Sequence, residues 1–201
     1  MRVAPPGRFI WPGATRLAAA LLLLGPIAGP ASAQDRPSLI PSRDVDVTYV
    51  MAGLDSAGQV VTLTQRTRWS AGSGEMRVDP PGGETYLVID YHAHRLYAVH
   101  PAQRAVVVMP ADPASVAPGM AHTGTFSRRG KASVAGLACT EWDTQDSGGQ
   151  ATTVCLTADG VLLRVRHGDR VLAQARSVTF APIHPAVFAV PADFSRVTPP
   201  G

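Results

Sequence analysis

From residue 44 onward, apolar and polar residues alternate along the chain in short runs that are separated by turn residues. This period of two is typical of β strands, and no stretch shows the wider spacing of an amphipathic helix. In DVDVTYVMAG, Val45 and Val47 fall on one side of the strand and the aspartates on the other. In QVVTLTQRTRW, Val61, Leu63 and Trp69 share one side, opposite threonines and arginines. Such two-sided strands predict an antiparallel sheet with one apolar face.

Glycine, proline and aspartate mark the turns between these runs, in AGSG, DPPGG, HPAQ, DSGG, ADG and HGDR. The sharpest turns are expected at Gly160 and Gly168, where a positive φ lets a two-residue loop follow the strand twist. Counting the runs predicts a mainly β protein with little helix, an antiparallel sheet of about 10–11 strands between Asp44 and Phe180. A proline-rich tail follows, and the prolines of residues 110–122 predict a loop or a single turn.

The chain opens with a basic and then apolar segment, in which Arg2, Arg8 and Arg16 precede the leucine run, and ASA follows at residues 31–33. This order is typical of a secretory signal peptide, and the apolar run is too short for a membrane helix. We therefore expect cleavage after Ala33, a periplasmic location, and one domain over residues 34–201. No cysteine follows the apolar run, so we expect a protein without a lipid anchor.

The loss of a signal peptide changes the charge of the chain. The full sequence has 18 basic and 15 acidic residues, and without the three arginines of the signal the two kinds are equal in number. This balance argues against nucleic acid as a partner, because phosphate binding needs a basic surface. The cluster Arg128, Arg129 and Lys131 is interpreted as a solvated strand face, and a weak contact with an anionic membrane surface stays open.

Two cysteines, Cys139 and Cys155, are spaced as in a hairpin and predict a disulfide in an oxidising compartment. If they lie directly opposite each other, Trp142 faces Thr152 and the DSGG turn falls near the centre of the hairpin. Trp142 then points into the core, whereas the disulfide shares the more polar face with Glu141.

Three histidines fall within nine positions in YLVIDYHAHRLYAVHP, which raises the question of a metal site. His92 and His94 fit the loop of a hairpin, whereas His100 belongs at the far end of the following strand. At about 3.4 Å per residue this separation is near 20 Å, too far for shared ligands at about 2 Å. We predict that HAH is a hairpin loop and that the protein binds no metal.

Catalytic signatures are missing from the sequence, which has no nucleophile elbow, phosphate loop, dinucleotide fingerprint or zinc-protease motif. Asp90 is interpreted as a residue that satisfies the backbone of the next turn. Glu141 and Asp143 are interpreted as a solvated face and not as a general acid and base. The sequence therefore predicts neither an enzyme nor a cofactor.

A series of strand motifs runs through GEMRVDPP at residues 74–81, YLVIDY at 86–91, RLYAVHP at 95–101 and RAVVVM at 104–109. With the closing PAVFAVPADF at residues 185–194, this series resembles the LolA-like superfamily of exported bacterial proteins, which includes lipoprotein carriers. The resemblance implies a strongly curved sheet, a half-barrel whose concave apolar side receives acyl chains or an apolar partner segment. The carriers also have an amphipathic first helix and helical lids, for which DRPSLIPSRDVD and residues 110–122 are too short and too rich in proline.

Three hypotheses of function follow, and the third, an enzyme, has the least support. In the first, a monomeric, non-enzymatic periplasmic protein binds a lipid, an acyl chain or a lipoprotein segment on its concave face. In the second, the face is filled by side chains such as Trp69, Trp142, Phe180 and Phe188, and the protein is a structural or interaction module of the envelope. The residues expected to line a ligand site are Val61, Leu63, Trp69, Val88, Trp142 and Val165.

Overall fold

The structure is a computed structural model, and it describes residues 36–54, 57–111, 125–146 and 148–197. The predicted signal peptide and its cleavage site lie outside the described residues, as does nearly all of the predicted loop at 110–122. No helix in the described ranges is long and apolar enough to cross a membrane.

Twelve strands and one short 3-10 turn make up the regular structure of these ranges. The first six strands are β1 (Val45–Leu54), β2 (Val60–Ser70), β3 (Glu75–Asp79), β4 (Tyr86–Asp90), β5 (Arg95–His100) and β6 (Ala105–Pro110). The next five are β7 (Ser127–Val134), β8 (Leu137–Gln145), β9 (Ala151–Leu156), β10 (Leu162–His167) and β11 (Arg170–Thr179). The 3-10 turn (Pro185–Phe188) and β12 (Ser195–Val197) complete the described chain.

All twelve strands form one open sheet, in the order β12-β6-β5-β4-β3-β2-β1-β11-β10-β9-β8-β7. Neighbouring strands are antiparallel except β12, which runs parallel to β6. The predicted mainly β fold, with an antiparallel, half-barrel type of sheet and little helix, is confirmed. The additional strand, β12, lies in the proline-rich tail, where three residues are too few to show alternation. It is held by a bond from Ser195 N to Arg104 O of 2.9 Å.

The predicted faces of β1 and β2 are confirmed by burial and register. Val45 and Val47 are 2% exposed, and Val45 lies opposite Trp69, which is 5% exposed. Burial also alternates along β2. Val61, Leu63 and Trp69 are partly or fully buried, whereas Val60, Thr62 and Thr64 are exposed. Residues that lie directly opposite in a sheet point to the same side, so the register assigns each side chain to a face.

The HAH segment lies in the hairpin loop between β4 and β5, as predicted from the sequence. Asp90 Oδ1 accepts a hydrogen bond of 2.8 Å from Ala93 N, so this carboxylate does satisfy the turn. His100 ends β5 and its Nδ1 lies 3.1 Å from Thr85 Oγ1. Among the described residues, no group of three or more His, Cys, Asp or Glu side chains is placed to hold a metal ion.

The disulfide between Cys139 and Cys155 is present, with Cα atoms 5.5 Å apart, but the predicted hairpin register is wrong by two residues. Cys155 lies opposite Glu141, and Trp142 lies opposite Val154 and not Thr152. Asp146 organises the turn, because its Oδ1 accepts bonds of 2.9 Å from the N–H groups of Gly148 and Gln150. The centre of the hairpin therefore differs from the one predicted. A shift of two residues preserves the faces, so the disulfide shares its face with Glu141 as expected.

That face is less polar and less exposed than the sequence predicted. Cys139 and Cys155 are 5% and 1% exposed, and the Glu141 side chain is only 15% exposed. Arg164 and Arg166 each donate a 2.9 Å bond to Oε1 of Glu141. The interpretation of Glu141 as a solvated residue is therefore wrong, because two arginines of β10 reach across β9 and cover it.

Candidate ligand-binding face

A continuous row of side chains crosses six neighbouring strands on one face of the sheet. Each member lies directly opposite the next in the register. In order from β2 to β8, the row consists of Leu63, Met51, Ala173, Val165, Val154 and Trp142. All six are apolar, and we call the side of the sheet on which they lie the apolar face.

Five of the six residues predicted to line a ligand site lie on this apolar face. Leu63, Val165 and Trp142 belong to the row itself. Val61 and Trp69 lie an even number of residues from Leu63 along β2, so they point to the same side. Val88 is the exception, since it lies opposite Arg77 and Tyr97, whereas its neighbour Ile89 lies opposite Met76. Because Met76 lies opposite Trp69, Val88 points to the other side of the sheet.

The side of Val88 is covered by the C-terminal segment. Val99, Val106 and Val108 form a buried cluster there, against which Val190 and Phe194 pack. Arg77 Nη1 donates a 3.0 Å bond to Val187 O and fastens this segment to β3. Val88 is therefore a core residue beneath the closing PAVFAVPADF motif and does not line the apolar face.

The apolar face is partly covered by the chain itself, through residues 37–43, which we call the strap. Burial alternates along it, with Pro37, Leu39 and Pro41 partly buried and the residues between them exposed. Leu39 packs against the cluster that contains Trp142 and Val165. The strap thus touches the same side chains that were predicted to hold a ligand.

Polar contacts fasten the strap at its C-terminal half. Trp69 Nε1 donates a 2.8 Å bond to Pro41 O. The β9–β10 turn supplies Asp159, whose backbone oxygen accepts a 2.9 Å bond from Ser42 N and whose Oδ2 accepts a 2.8 Å bond from Arg43. The Arg43 guanidinium also lies 3.6 Å from the centre of the Phe180 ring. These contacts fix the strap across the end of the sheet.

A small cavity remains between the strap and the sheet. Its volume is about 50 Å³, and it is lined mainly by apolar side chains, including Leu39, Val45, Val47, Trp69 and Met76. Ligand sites for small molecules usually measure about 300–1,000 Å³. With the strap in place, this end of the apolar face has no room for an acyl chain.

At the other end of the sheet, a groove of about 470 Å³ runs beside β1, β2 and β11. Met51, Val61 and Ala175 of the apolar face line it together with residues of the opposite side, among them Ala52, Thr62 and Gln174. Leu54 and Val60, which also lie on that opposite side, are 66% and 72% exposed. Apolar side chains this exposed and this close together indicate a contact surface for an apolar molecule.

Tyr49 stands between the two ends of the apolar face. Its hydroxyl donates a 2.7 Å bond to Leu162 O, and burial raises the pKa of this hydroxyl. Tyr49 is therefore neutral at physiological pH and joins β1 to β10. Trp69 meets the ring of Tyr91 edge to face, with ring centres 5.3 Å apart.

Solved structures share this architecture. An uncharacterized conserved protein from Thermus thermophilus matches with a TM-score of 0.55 and 16% identity, over 79% of this chain and 91% of that one. The chain shares its fold with this protein. A LolA superfamily protein from Nitrosomonas europaea also matches, at a TM-score of 0.38 and 9% identity over 75% of this chain and 92% of that one.

MucB, in the Pseudomonas aeruginosa MucA/MucB complex, also matches, with a TM-score of 0.47 and 16% identity. The match covers 77% of this chain but only 58% of MucB. At these identities the likeness concerns the fold alone. No protein-family model and no curated protein matches the sequence.

The strap and its partners in the sheet are the part of the site that the sequence did not reveal. Asp159 and Gly160 carry no sequence signal of a contact with the strap, and the bond from Arg43 to Asp159 joins residues 116 positions apart. The alternation of Pro37, Leu39 and Pro41 is the one local sign of an extended segment.

A cluster of charges on the opposite face leads to a prediction about pH. Burial alone would raise the pKa of Asp79, but hydrogen bonds from Arg77 and Arg68 outweigh it and hold this pKa below its usual value. The ionised Asp79 therefore stabilises the fold at pH values above about 4, and this contribution is lost as the pH falls through the folded-state pKa. Asp79→Asn should lower the free energy of unfolding at pH 7 by about 1–2 kcal/mol.

Urea denaturation at several pH values tests this expectation. The difference between the original chain and Asp79→Asn should shrink as the pH is lowered below about 4. Asp193→Asn is the control, because the ion pair of Asp193 with Arg104 is exposed by 65% on each side and should contribute little. A difference for Asp79→Asn that stayed constant down to pH 2 would contradict the assigned role of its charge.

Proposed function

We propose that residues 34–201 form an exported, non-enzymatic binding domain that holds an apolar ligand on the apolar face of its sheet. The ligand is an acyl chain of a lipid or an apolar segment of a lipoprotein or other envelope protein. The proposal places the domain in the periplasm after cleavage at Ala33, and the buried disulfide fits that oxidising compartment. No catalytic step, metal or cofactor takes part in it.

The observation that carries the proposal is the open groove at Met51, Val61 and Val171. Its volume of about 470 Å³ falls within the usual range of ligand sites. Met51 lines this groove and also belongs to the apolar row, so a chain bound there would reach the row at Met51. Val60, which is 72% exposed, lines the groove from the opposite side of the sheet.

The energetics of such binding are favourable for a chain of moderate length. Burial of one methylene contributes about 0.8 kcal/mol, so ten of them contribute about 8 kcal/mol. Association costs about 4 kcal/mol or more in lost translational and rotational freedom. A chain of about ten buried methylenes is therefore near the length at which binding becomes useful.

The cavity of about 50 Å³ beneath the strap favours a second candidate function. In that account the apolar face is an ordinary core, completed by Leu39 and Pro41, and the protein acts as an interaction module of the envelope. The exposed side chains of Leu54, Val60 and Val171 would then be its contact surface.

A titration with a fluorescent fatty acid distinguishes these two functions. The mature chain should bind an anthroyloxy-labelled stearic acid saturably, and Val61→Asp should weaken this binding at least tenfold, because a charged group would then lie in the groove. Thr64→Asp is the matched control, since Thr64 is an exposed residue of the same strand that does not line the groove.

Retention of full affinity by Thr64→Asp together with its loss in Val61→Asp would support the proposed groove. Equal affinities in both variants, or the absence of saturable binding by the original chain, would leave the interaction module as the better account. Circular dichroism of each variant would show that the sheet has formed.

A further inference from the structure

The strap binds the apolar face in the way a peptide ligand binds a receptor. It belongs to none of the twelve strands, so its removal would break no hydrogen bond between strands of the sheet. Its side chains nevertheless alternate between partly buried and exposed, as in an extended peptide laid against a surface.

Three kinds of contact recognise three different features of the strap. Leu39 provides an apolar anchor against the cluster of Trp142 and Val165. Pro41 provides a carbonyl oxygen, which lies 2.8 Å from Trp69 Nε1. Arg43 provides a cation, which lies 2.8 Å from Asp159 Oδ2. An acyl chain has neither a carbonyl at this spacing nor a cation, so this set of contacts suits a polypeptide.

The passage between the strap and the β9–β10 turn is narrow. Gly160 has a φ of +84°, and a Cβ placed there would lie 2.4 Å from Ile40 O. The position therefore requires glycine both for its backbone conformation and for the close approach of the strap.

We infer that the site beneath the strap is a peptide-binding site, which residues 37–43 occupy until an extended segment of a partner protein replaces them. The segment carries an apolar side chain and, four residues later, a basic one, as Leu39 and Arg43 do. The inference rests on the proposed function and names the partner for the closed end of the apolar face, whereas the open groove takes the acyl chain or apolar segment.

The strap can be displaced by changes in its own residues, which leave the site beneath it unaltered. Leu39→Ser together with Arg43→Glu removes the apolar anchor and reverses the charge that meets Asp159, so the strap should leave the face. Ile40→Ser is the matched control, because Ile40 belongs to the strap but is 54% exposed.

The experiment uses the full mature chain and a fluorescent peptide with the sequence of residues 36–43. The double variant should bind this peptide at least tenfold more tightly than either the original chain or Ile40→Ser, because its own strap no longer competes. A peptide that carries the same two changes should bind the double variant at least tenfold more weakly than the original peptide does. Hydrogen exchange at Trp69 Nε1 reports in parallel whether the strap has left.

Gly160→Ala tests the site from the opposite direction. Its added Cβ would lie 2.4 Å from the carbonyl oxygen of residue 40, whether that residue belongs to the strap or to a bound peptide. Introduced into the double variant, Gly160→Ala should therefore weaken peptide binding at least tenfold. Gly168→Ala is the matched control, because Gly168 also has a positive φ, of +56°, but nothing lies within 4 Å of its added Cβ.

The outcomes separate this inference from the proposed function. If Trp69 Nε1 exchanges faster in the double variant but the peptide does not bind, the peptide site is overturned. If exchange at Trp69 Nε1 is unchanged in the double variant, the strap is a fixed part of the core and the inference is equally overturned. Binding of the labelled stearic acid with its dependence on Val61 would still uphold the proposed function, and loss of both would overturn both. A dimer formed by the double variant would identify a second copy of the chain as the occupant and would overturn the partner segment.

Discussion

Replacement of Trp142 by alanine is expected to lower the free energy of unfolding by about 3–5 kcal/mol. Trp142 is 4% exposed and packs in one cluster with Val154, Leu156, Leu162 and Val165. Its truncation would remove a large apolar surface and leave a cavity in the middle of the apolar row. Equilibrium denaturation in urea, followed by circular dichroism, measures the change.

Trp142→Phe is the control for this prediction, because phenylalanine keeps an apolar ring in the cluster and should cost less than Trp142→Ala. The Arg128 guanidinium lies 5.1 Å from the centre of the Trp142 ring, and a phenylalanine keeps a ring face for it. A loss below about 1 kcal/mol for Trp142→Ala would contradict the burial of this side chain in a packed core.

Removal of the disulfide is expected to lower the free energy of unfolding by about 3 kcal/mol, since the bridge joins residues 16 positions apart. The double variant Cys139→Ala, Cys155→Ala tests this without leaving an unpaired thiol. The loss arises largely in the unfolded chain, which gains freedom when the loop opens. The small cavities left by two buried sulfur atoms add to it.

Treatment of the original chain with a reductant should produce a loss of similar size, and the double variant should not respond to the reductant. Peptide mapping under non-reducing conditions should recover Cys139 and Cys155 in one linked fragment. Two free thiols in protein recovered from the periplasm would contradict both the bridge and its stabilising role.

Alternation in the sequence was enough to predict the fold and the faces of single strands. Val61, Leu63 and Trp69 share a face because residues two apart in a strand point to the same side. Trp142 was placed in the core correctly even though its register was wrong, since a shift of two residues preserves the face. The centre of that hairpin depends on how Asp146 binds the turn backbone, which composition does not reveal.

Relations between distant strands were harder to predict. Val88 lies between apolar neighbours in YLVID, so alternation could not show which of them faces Trp69. The register with β3 decides this, because Ile89 lies opposite Met76. The ion cluster at Glu141 was missed for a similar reason, since its arginines come from β10.

The strap was invisible in the sequence because its binding site is assembled from distant parts of the chain. The prolines of DRPSLIPSRDVD correctly indicated that no helix forms over the described residues 36–46, but not what the extended segment contacts. Leu39, Pro41 and Arg43 acquire partners only when β2 and the β9–β10 turn meet at the end of the apolar face.

The indole region of a proton–nitrogen NMR spectrum tests the central claim most directly. The chain has three tryptophans, and one of them, Trp11, leaves with the predicted signal peptide. The mature protein should therefore show two indole signals, from Trp69 and Trp142, which lie at different positions on the apolar face. Titration with stearic acid should shift at least one of them saturably in the original chain and in Thr64→Asp, but not in Val61→Asp. Signals that stay unchanged throughout the titration of the original chain would contradict ligand binding on this face.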